Sequence, residues 1–381
     1  MTTTELIETP LKAFHTDANA QLVDFAGWKM PLKYATSVRE EHEQTRASGG
    51  IFDVSHMGRL SVSGLHSRRL LERTCSRRIG TMQDGQCRYS LMCNESGGVM
   101  DDVIVMRLDA DDYIVVCNAS NRAKIVAHFN KVIAERQLNV RFEDRTEKTA
   151  MVALQGPKVM DLISGVSKEI PSLKRYRFAV KNLMIMKLYV SRTGYTGEDG
   201  VEVILPASAV GMALKLLLKD VKMDEDDALL RPAGLAARDS LRLEAGMPLY
   251  GNELGEDINA LACGIDFAIA LDKSEEQDGE TFIGQETLVR TRADGGPAER
   301  LVGLQIEGRR TARQGMPILI DGEPAGRVTS GCLSPTLGTS IAMGFVPAKL
   351  SAVGTPVSID AGGRSLSAEI VEMPFYKAPK G

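Results

Sequence analysis

Residues 301–381 hold six short alternating apolar runs, at 301–306, 316–320, 325–329, 341–346, 355–359 and 365–372, separated by Gly, Pro and Asp. Period-two alternation buries one face of a strand, and no full-length helical pattern interrupts the series. Such a region closes as a small all-β barrel or sandwich. The stretch before it, 273–300 (KSEEQDGETFIGQETLVRTRADGGPAER), is polar and charged and reads as a boundary holding one short helix.

Residues 1–272 have another character. GRLSVS (58–63) alternates as a strand, and Leu65, Leu70 and Leu71 give 65–74 helical spacing. QCRYSLMC (86–93) and VMDDVIVMRL (99–108) flank the turn Asn94-Glu95-Ser96-Gly97-Gly98, a hairpin signal. A strand at 113–117 and a helix at 118–136 follow. The order then returns: strand 150–154, helix 157–164 opened by Gly156-Pro157, strands 183–190 and 201–205, and helix 207–219. The predicted class is α+β, with two ferredoxin-like α/β modules in 1–272 and a C-terminal all-β barrel in 301–381.

Charge and composition exclude several roles. Lys plus Arg is 46 against 50 for Asp plus Glu, a net of −4, which argues against nucleic acid as the main partner and leaves room for a local basic patch. No apolar stretch reaches the ~18 residues of a membrane span. The N-terminus MTTTELIETPLKAFHTD has neither the basic region nor the apolar block of a signal peptide, so a cytoplasmic location is expected, or an organelle matrix if a transit peptide was removed. The six cysteines form no CxxC and read as reduced thiols. The five histidines show no HxxxH or HExxH spacing, so no metal site is expected.

Three constellations could carry chemistry. In Gly97-Gly98-Val99-Met100-Asp101-Asp102-Val103 two carboxylates enter an apolar strand on opposite faces. A carboxylate held there is costly unless paired or used; the alternative is a hairpin cap. In SRTGYTGEDGVEV (191–203) three glycines precede a strand bearing Glu202. No Gly-Lys-Ser/Thr follows, so this is no phosphate loop. It is either a glycine-rich hairpin tip or a ligand loop whose Glu202 accepts two parallel hydrogen bonds from an amidine-like edge. In RPAGLAARDSLRLEAG (231–246) Arg238 and Arg242 share one helix face at i, i+4. They are either solvated or addressed to a carboxylate ligand. His56, in Asp53-Val54-Ser55-His56-Met57, reads as a structural hydrogen-bonder, and Trp28 as core.

In order, DFAGWKMPL (24–32), GIFDVSHMG (50–58), RYSLMCNESGGVMDDVIV (88–105), ALQGP (153–157), SRTGYTGEDGVEV (191–203), RPAGLAARDSLRLEAGMPLYG (231–251), FIGQE (282–286) and TSGCLSPTLGTSIAMGFV (329–346) resemble the glycine cleavage system T-protein family of aminomethyltransferases. The resemblance implies a three-domain cloverleaf around a folate channel. It implies that an aminomethyl group on the lipoyl arm of a carrier (H) protein is handed to tetrahydrofolate. The products would be 5,10-methylenetetrahydrofolate, ammonia and the dihydrolipoyl carrier. It places the essential aspartate on Asp102 and folate contacts on Tyr89, Tyr195, Glu202, Arg238 and Lys377. Arg238 or Lys377 would meet the carboxylates of the folate tail. Lys377 stands where the family often has arginine, and Met247 where some relatives have an aromatic residue.

Two other readings share the fold. A tetrahydrofolate-dependent demethylase would take a methylated amine or sulfonium donor. A folate-binding iron–sulfur assembly protein would carry a cysteine where this chain has Thr281-Phe282-Ile283-Gly284-Gln285-Glu286. A flavin-fused oxidoreductase is excluded by the lack of a GxGxxG βαβ unit.

Overall fold

In the computed structural model, which describes residues 5–183, 186–219, 221, 223, 225, 227–275 and 279–379, the C-terminal runs form a closed barrel. Its strands run Glu299–Ile306, Ser340–Pro347, Glu323–Leu333, Pro317–Ile320, Pro356–Asp360 and Ser365–Val371 in spatial order. Every pairing is antiparallel. Leu304, Ile306, Ile318, Ile359 and Ile370 fill the interior. Gly344 is required there, because a Cβ would lie 2.6 Å from Ile318 Cδ1 and 2.7 Å from the Arg327 carbonyl.

The first module is an antiparallel sheet in the order Gln86–Cys93, Val99–Asp109, Asp112–Cys117, Gly58–Ser63, Arg141–Asp144. Helices Ser67–Thr74 and Arg122–Glu135 cover one face, where Leu70, Leu71, Ile125 and Phe129 pack on Leu60, Val62, Val103 and Val105. Without its edge strand Gln86–Cys93, the sheet has the ferredoxin-like order of fourth, first, third and second strand.

The second module repeats this order with an exchange. Phe178–Leu183, Met186–Ser191, Gly200–Pro206 and Thr149–Gln155 are followed by Gly50–Asp53 and then Arg231–Pro232. Gly50–Asp53 fills the fourth-strand place although it precedes the first module in the chain. The continuous stretch 50–63 therefore serves both sheets. The strand read at 183–190 is described as two paired strands, Phe178–Leu183 and Met186–Ser191, joined at residues outside the described set. The run FAVKNLMIMKLYV holds Asn182 as its one turn-forming residue, with no Gly, Pro or Asp beside it, which is a weak turn signal.

The sheets face one another. Cys87, Met106, Ile114 and Val116 of the first meet Met151, Ala153, Phe178 and Ile204 of the second, with Ala237 and Leu241 of helix Leu235–Glu244. That helix also joins the barrel through Glu244, which is fully buried. Arg46 Nη2 reaches Glu244 Oε2 at 2.9 Å, and His42 Nε2 reaches the same oxygen at 3.1 Å. The Thr336 hydroxyl donates to Glu244 Oε2 at 2.7 Å, the Thr336 N–H donates to Oε1 at 3.1 Å, and the Ser334 hydroxyl also donates to Oε1. The Tyr376 N–H donates to the Glu244 carbonyl at 2.8 Å, and its ring lies 4.0 Å under the Arg46 guanidinium.

Candidate functional site

Strand alternation decides where the two aspartates go. Val103 and Val105 pack with the helices, so Asp101 shares the helix side. Ile104 and Met106 face the opposing sheet, so Asp102 does too. Opposite them on the edge strand, Tyr89 is paired with Ile104 and donates its hydroxyl to Asp102 Oδ2 at 3.1 Å. Asn118 leaves the neighbouring strand beside Asp102. Its Nδ2 donates to Asp102 Oδ1 at 2.6 Å and to Asp101 Oδ1 at 2.7 Å.

Asp101 is fully buried and takes two more bonds, from the Asn118 N–H at 3.1 Å and Asn121 Nδ2 at 2.8 Å. Burial, and then the neighbouring charge of Asp102, push Asp101 up to about 7 despite those donors. Burial raises Asp102 as well, against the Tyr89 and Asn118 hydrogen bonds, which favour its anion. The pair thus resists carrying two full negative charges at once.

This has a consequence for stability. An unfolded Asp101 releases its proton near 3.8, whereas the folded one holds it to about 7. The folded state binds more protons between those values, so this group makes stability fall as pH rises through that window. Asp101→Asn should remove that slope. Urea midpoints at both ends of the window test this, and an unchanged slope would contradict it.

The second sheet supplies the facing wall. Val201 and Val203 pack outward on its helices, while Ile204 joins the layer between the sheets, so Glu202 lies on that inner side. The Thr193 hydroxyl donates to Glu202 Oε2 at 2.5 Å. The Tyr195 hydroxyl donates to the Pro248 carbonyl at 2.5 Å. Burial raises Tyr195, with a smaller contribution from Asp102, and burial raises Tyr89, with contributions from Asp102 and Tyr195. The two tyrosines and Asp102 thus share one electrostatic neighbourhood.

Arg238 and Arg242 share a helix face but have different work. Arg242 is spent on structure. It holds Glu253 Oε2 at 2.9 Å, Ser330 Oγ at 2.8 Å and the Met247 carbonyl at 3.1 Å. Arg238 stacks 4.7 Å from the Tyr195 ring centroid, and its Nη1 is buried without a partner. Burial lowers its pKa, opposed by Glu202 and Tyr195. A buried guanidinium N–H left unpaired is costly unless a ligand meets it.

Five of the six residues singled out in the sequence therefore converge: Asp102, Tyr89, Tyr195, Glu202 and Arg238. Lys377 does not join them. It is exposed, beside the Tyr376 that Arg46 stacks on. Asn118 escaped the sequence reading; its one signal was an amide placed directly after a strand and before a helix. His56 is buried, its Nδ1 has no partner, and burial pushes it down to about 3, so it stays neutral. Among the described residues no group of three or more His, Cys, Asp or Glu is placed to hold a metal ion.

Comparison with known proteins gives a consistent result. The family model described as the GCVT N-terminal domain matches residues 11–273, and that of the glycine cleavage T-protein C-terminal barrel domain matches 299–377. An aminomethyltransferase of Rubrobacter xylanophilus is 45% identical over 374 residues, covering 98% of this chain and 95% of its own. One of Cutibacterium acnes is 40% identical over 385 residues, covering 98% and 99%. The crystal structure of the glycine cleavage system aminomethyltransferase T from Bartonella henselae superposes with a TM-score of 0.88 at 31% identity, covering 98% of this chain and 99% of that one.

Proposed function

The chain belongs to the glycine cleavage T-protein family and is a tetrahydrofolate-dependent aminomethyltransferase, and we propose that the Asp102 carboxylate is the group around which its reaction is organised. The carbon transferred is the methylene of an aminomethyl group on the lipoyl arm of a carrier (H) protein. Tetrahydrofolate brings the nitrogen that accepts it, and ammonia leaves.

The observation that carries this reading is the pair of donors on Asp102. Tyr89 and Asn118 bond its two oxygens separately, at 3.1 and 2.6 Å. They fix the carboxylate plane before any substrate arrives. An anion held in place in a buried site favours positive charge developing on the transferred carbon as ammonia departs.

The opposite wall fits a planar heterocycle. Glu202 offers a carboxylate to a double N–H edge such as that of a pterin. Arg238 offers the unpaired Nη1 to an acceptor on the same ring. Its position beside Glu202 and Tyr195 favours the ring end of folate over the tail. Lys377, exposed near the C-terminus, remains the candidate for the tail carboxylates. The proposed compartment is the cytoplasm, where the six free cysteines would stay reduced.

Glu202→Ala should weaken folate binding. Loss of a charged hydrogen-bond partner costs about 1.5–3 kcal/mol, roughly 10–150-fold in affinity. Calorimetric titration with folate reads this directly, and an unchanged affinity returns Glu202 to a structural role in its strand.

A further inference from the structure

Phe267 is 62% exposed, although Ile265 and Ala268 on either side of it are buried. Single exposed apolar residues are ordinary, and Leu65, Val166 and Val353 are comparably exposed. Phe267 differs in its neighbour. Its ring centroid lies 6.0 Å from that of Tyr89, at an interplanar angle of 34°. Tyr89 is the residue whose hydroxyl donates to Asp102. The exposed ring therefore stands at the rim of the site, against one of its walls.

The backbone under Phe267 is clipped to the same edge strand. The Ser76 hydroxyl donates to the Ala268 carbonyl at 2.5 Å, and the Ala270 N–H donates to the Ser76 carbonyl at 2.9 Å. Ser76 in turn pairs with Leu91. Its N–H donates to the Leu91 carbonyl at 2.8 Å, and its hydroxyl accepts the Leu91 N–H at 3.0 Å. Leu91 lies two residues along the strand from Tyr89, on the same face, and packs with Ile265 and Ala268. On the other side, Asp266 pairs with Arg292 of helix Gln285–Ala293 at 2.5 Å. None of these bonds uses the Phe267 side chain. The fold holds an aromatic ring in place while leaving most of it uncovered. Apolar surface kept in water contributes nothing to the stability of the free protein. A flat ligand group laid on it would gain both the burial and the ring–ring contact.

The product identifies such a group. In 5,10-methylenetetrahydrofolate the transferred carbon bridges N5 and N10, and the aryl ring of the p-aminobenzoyl group is bonded directly to N10. A carbon delivered beside Asp102 thus brings that aryl ring to the same place, one bond beyond N10. Tyr89 spans the interval from the carboxylate to Phe267, with its hydroxyl on Asp102 and its ring against Phe267. The lipoyl arm is a flexible saturated chain and has no flat face to offer.

We propose that Phe267 is a further folate-positioning residue, packing on the aryl ring of the p-aminobenzoyl group and so selecting folates over reduced pterins that lack it; this rests on the aminomethyltransferase reading above.

The test compares Phe267→Ala and Phe267→Tyr with Leu65→Ala, an exposed apolar control in the first module. Two ligands are titrated by calorimetry: tetrahydrofolate, and 6-methyltetrahydropterin, which keeps the reduced pterin and lacks the aryl group. Phe267→Ala should raise the Kd and KM for tetrahydrofolate roughly five- to twentyfold. Phe267→Tyr, which keeps the ring, should restore both to within about twofold of wild type. Affinity for 6-methyltetrahydropterin, turnover at saturating folate, the KM for carrier and the melting temperature should not move, and Leu65→Ala should behave as wild type. A tetrahydrofolate Kd within about twofold of wild type in Phe267→Ala overturns the proposal. Equal losses for the two ligands also overturn it, because the ring would then act through Tyr89 on the pterin. A raised KM for carrier with unchanged folate affinity overturns it as well and gives the ring to the lipoyl arm. Wild-type protein that shows the predicted ligand pattern but transfers no aminomethyl group would contradict the functional reading and leave the place of Phe267 standing.

Discussion

Asp102→Asn should lower turnover on the order of a hundred- to a thousand-fold and leave folate affinity nearly intact. Asparagine keeps the size of the side chain and one acceptor but removes the negative charge. That charge is most useful when the transferred carbon becomes cationic, so its loss falls on the transition state. An electrostatic contact of ~3–4 kcal/mol sets the magnitude. Asp101→Asn divides two views of the pair. Alternation alone puts Asp101 on the other face and predicts turnover near wild type. The bridging amide of Asn118, 2.7 Å from Asp101 and 2.6 Å from Asp102, makes Asp101 a positioning residue instead. An intermediate loss of roughly tenfold is then expected, with folate affinity unchanged. Measuring ammonia release and folate Kd for both variants separates the cases. A dead Asp101→Asn beside a live Asp102→Asn would reverse the assignment.

Glu244→Ala should destabilise the whole molecule. His42 and Arg46 converge on this carboxylate from helix Val38–Ala47, as do Ser334 and Thr336 from the barrel. Breaking a buried ion pair costs about 3–5 kcal/mol when the other charge is left uncompensated, and because Glu198 stays 3.0 Å from Arg46 the loss here should fall at the low end of that range. Burial alone would raise the pKa of Glu244, but His42, Ser334 and Thr336 together hold it at about 2, below its ordinary 4.5. The depressed value means that the contribution is complete above 4.5 and is lost as pH falls towards 2. The gap between wild type and Glu244→Gln should therefore be wide at neutral pH and narrow in acid. Denaturant melts across that range measure it, and a pH-independent gap would contradict the role given to the charge.

Much of this was legible in the sequence because its causes are local. The six barrel runs alternate with a clear period and are cut by Gly, Pro and Asp, and six strands form there. The opposite faces of Asp101 and Asp102 follow from pleating alone. What stayed hidden is what depends on pairing at a distance. Gly50–Asp53 is a four-residue strand with no signal of which sheet takes it. Arg238 and Arg242 are indistinguishable at i, i+4. Only tertiary structure shows one held by Glu253 and Ser330 and the other left with an unpaired N–H. Asn118 is an ordinary loop residue until the fold puts both carboxylates against its amide. Lys377 was placed by motif, and the tail that carries it is anchored one residue earlier, at Tyr376.

The most direct test of the whole account is ammonia release by the purified protein with tetrahydrofolate and aminomethyl-lipoylated carrier, run beside methylated amine and sulfonium donors. Ammonia and methylenetetrahydrofolate should form one for one from the carrier, with nothing from the small donors. Turnover of a methylated donor, with none from the carrier, would contradict it.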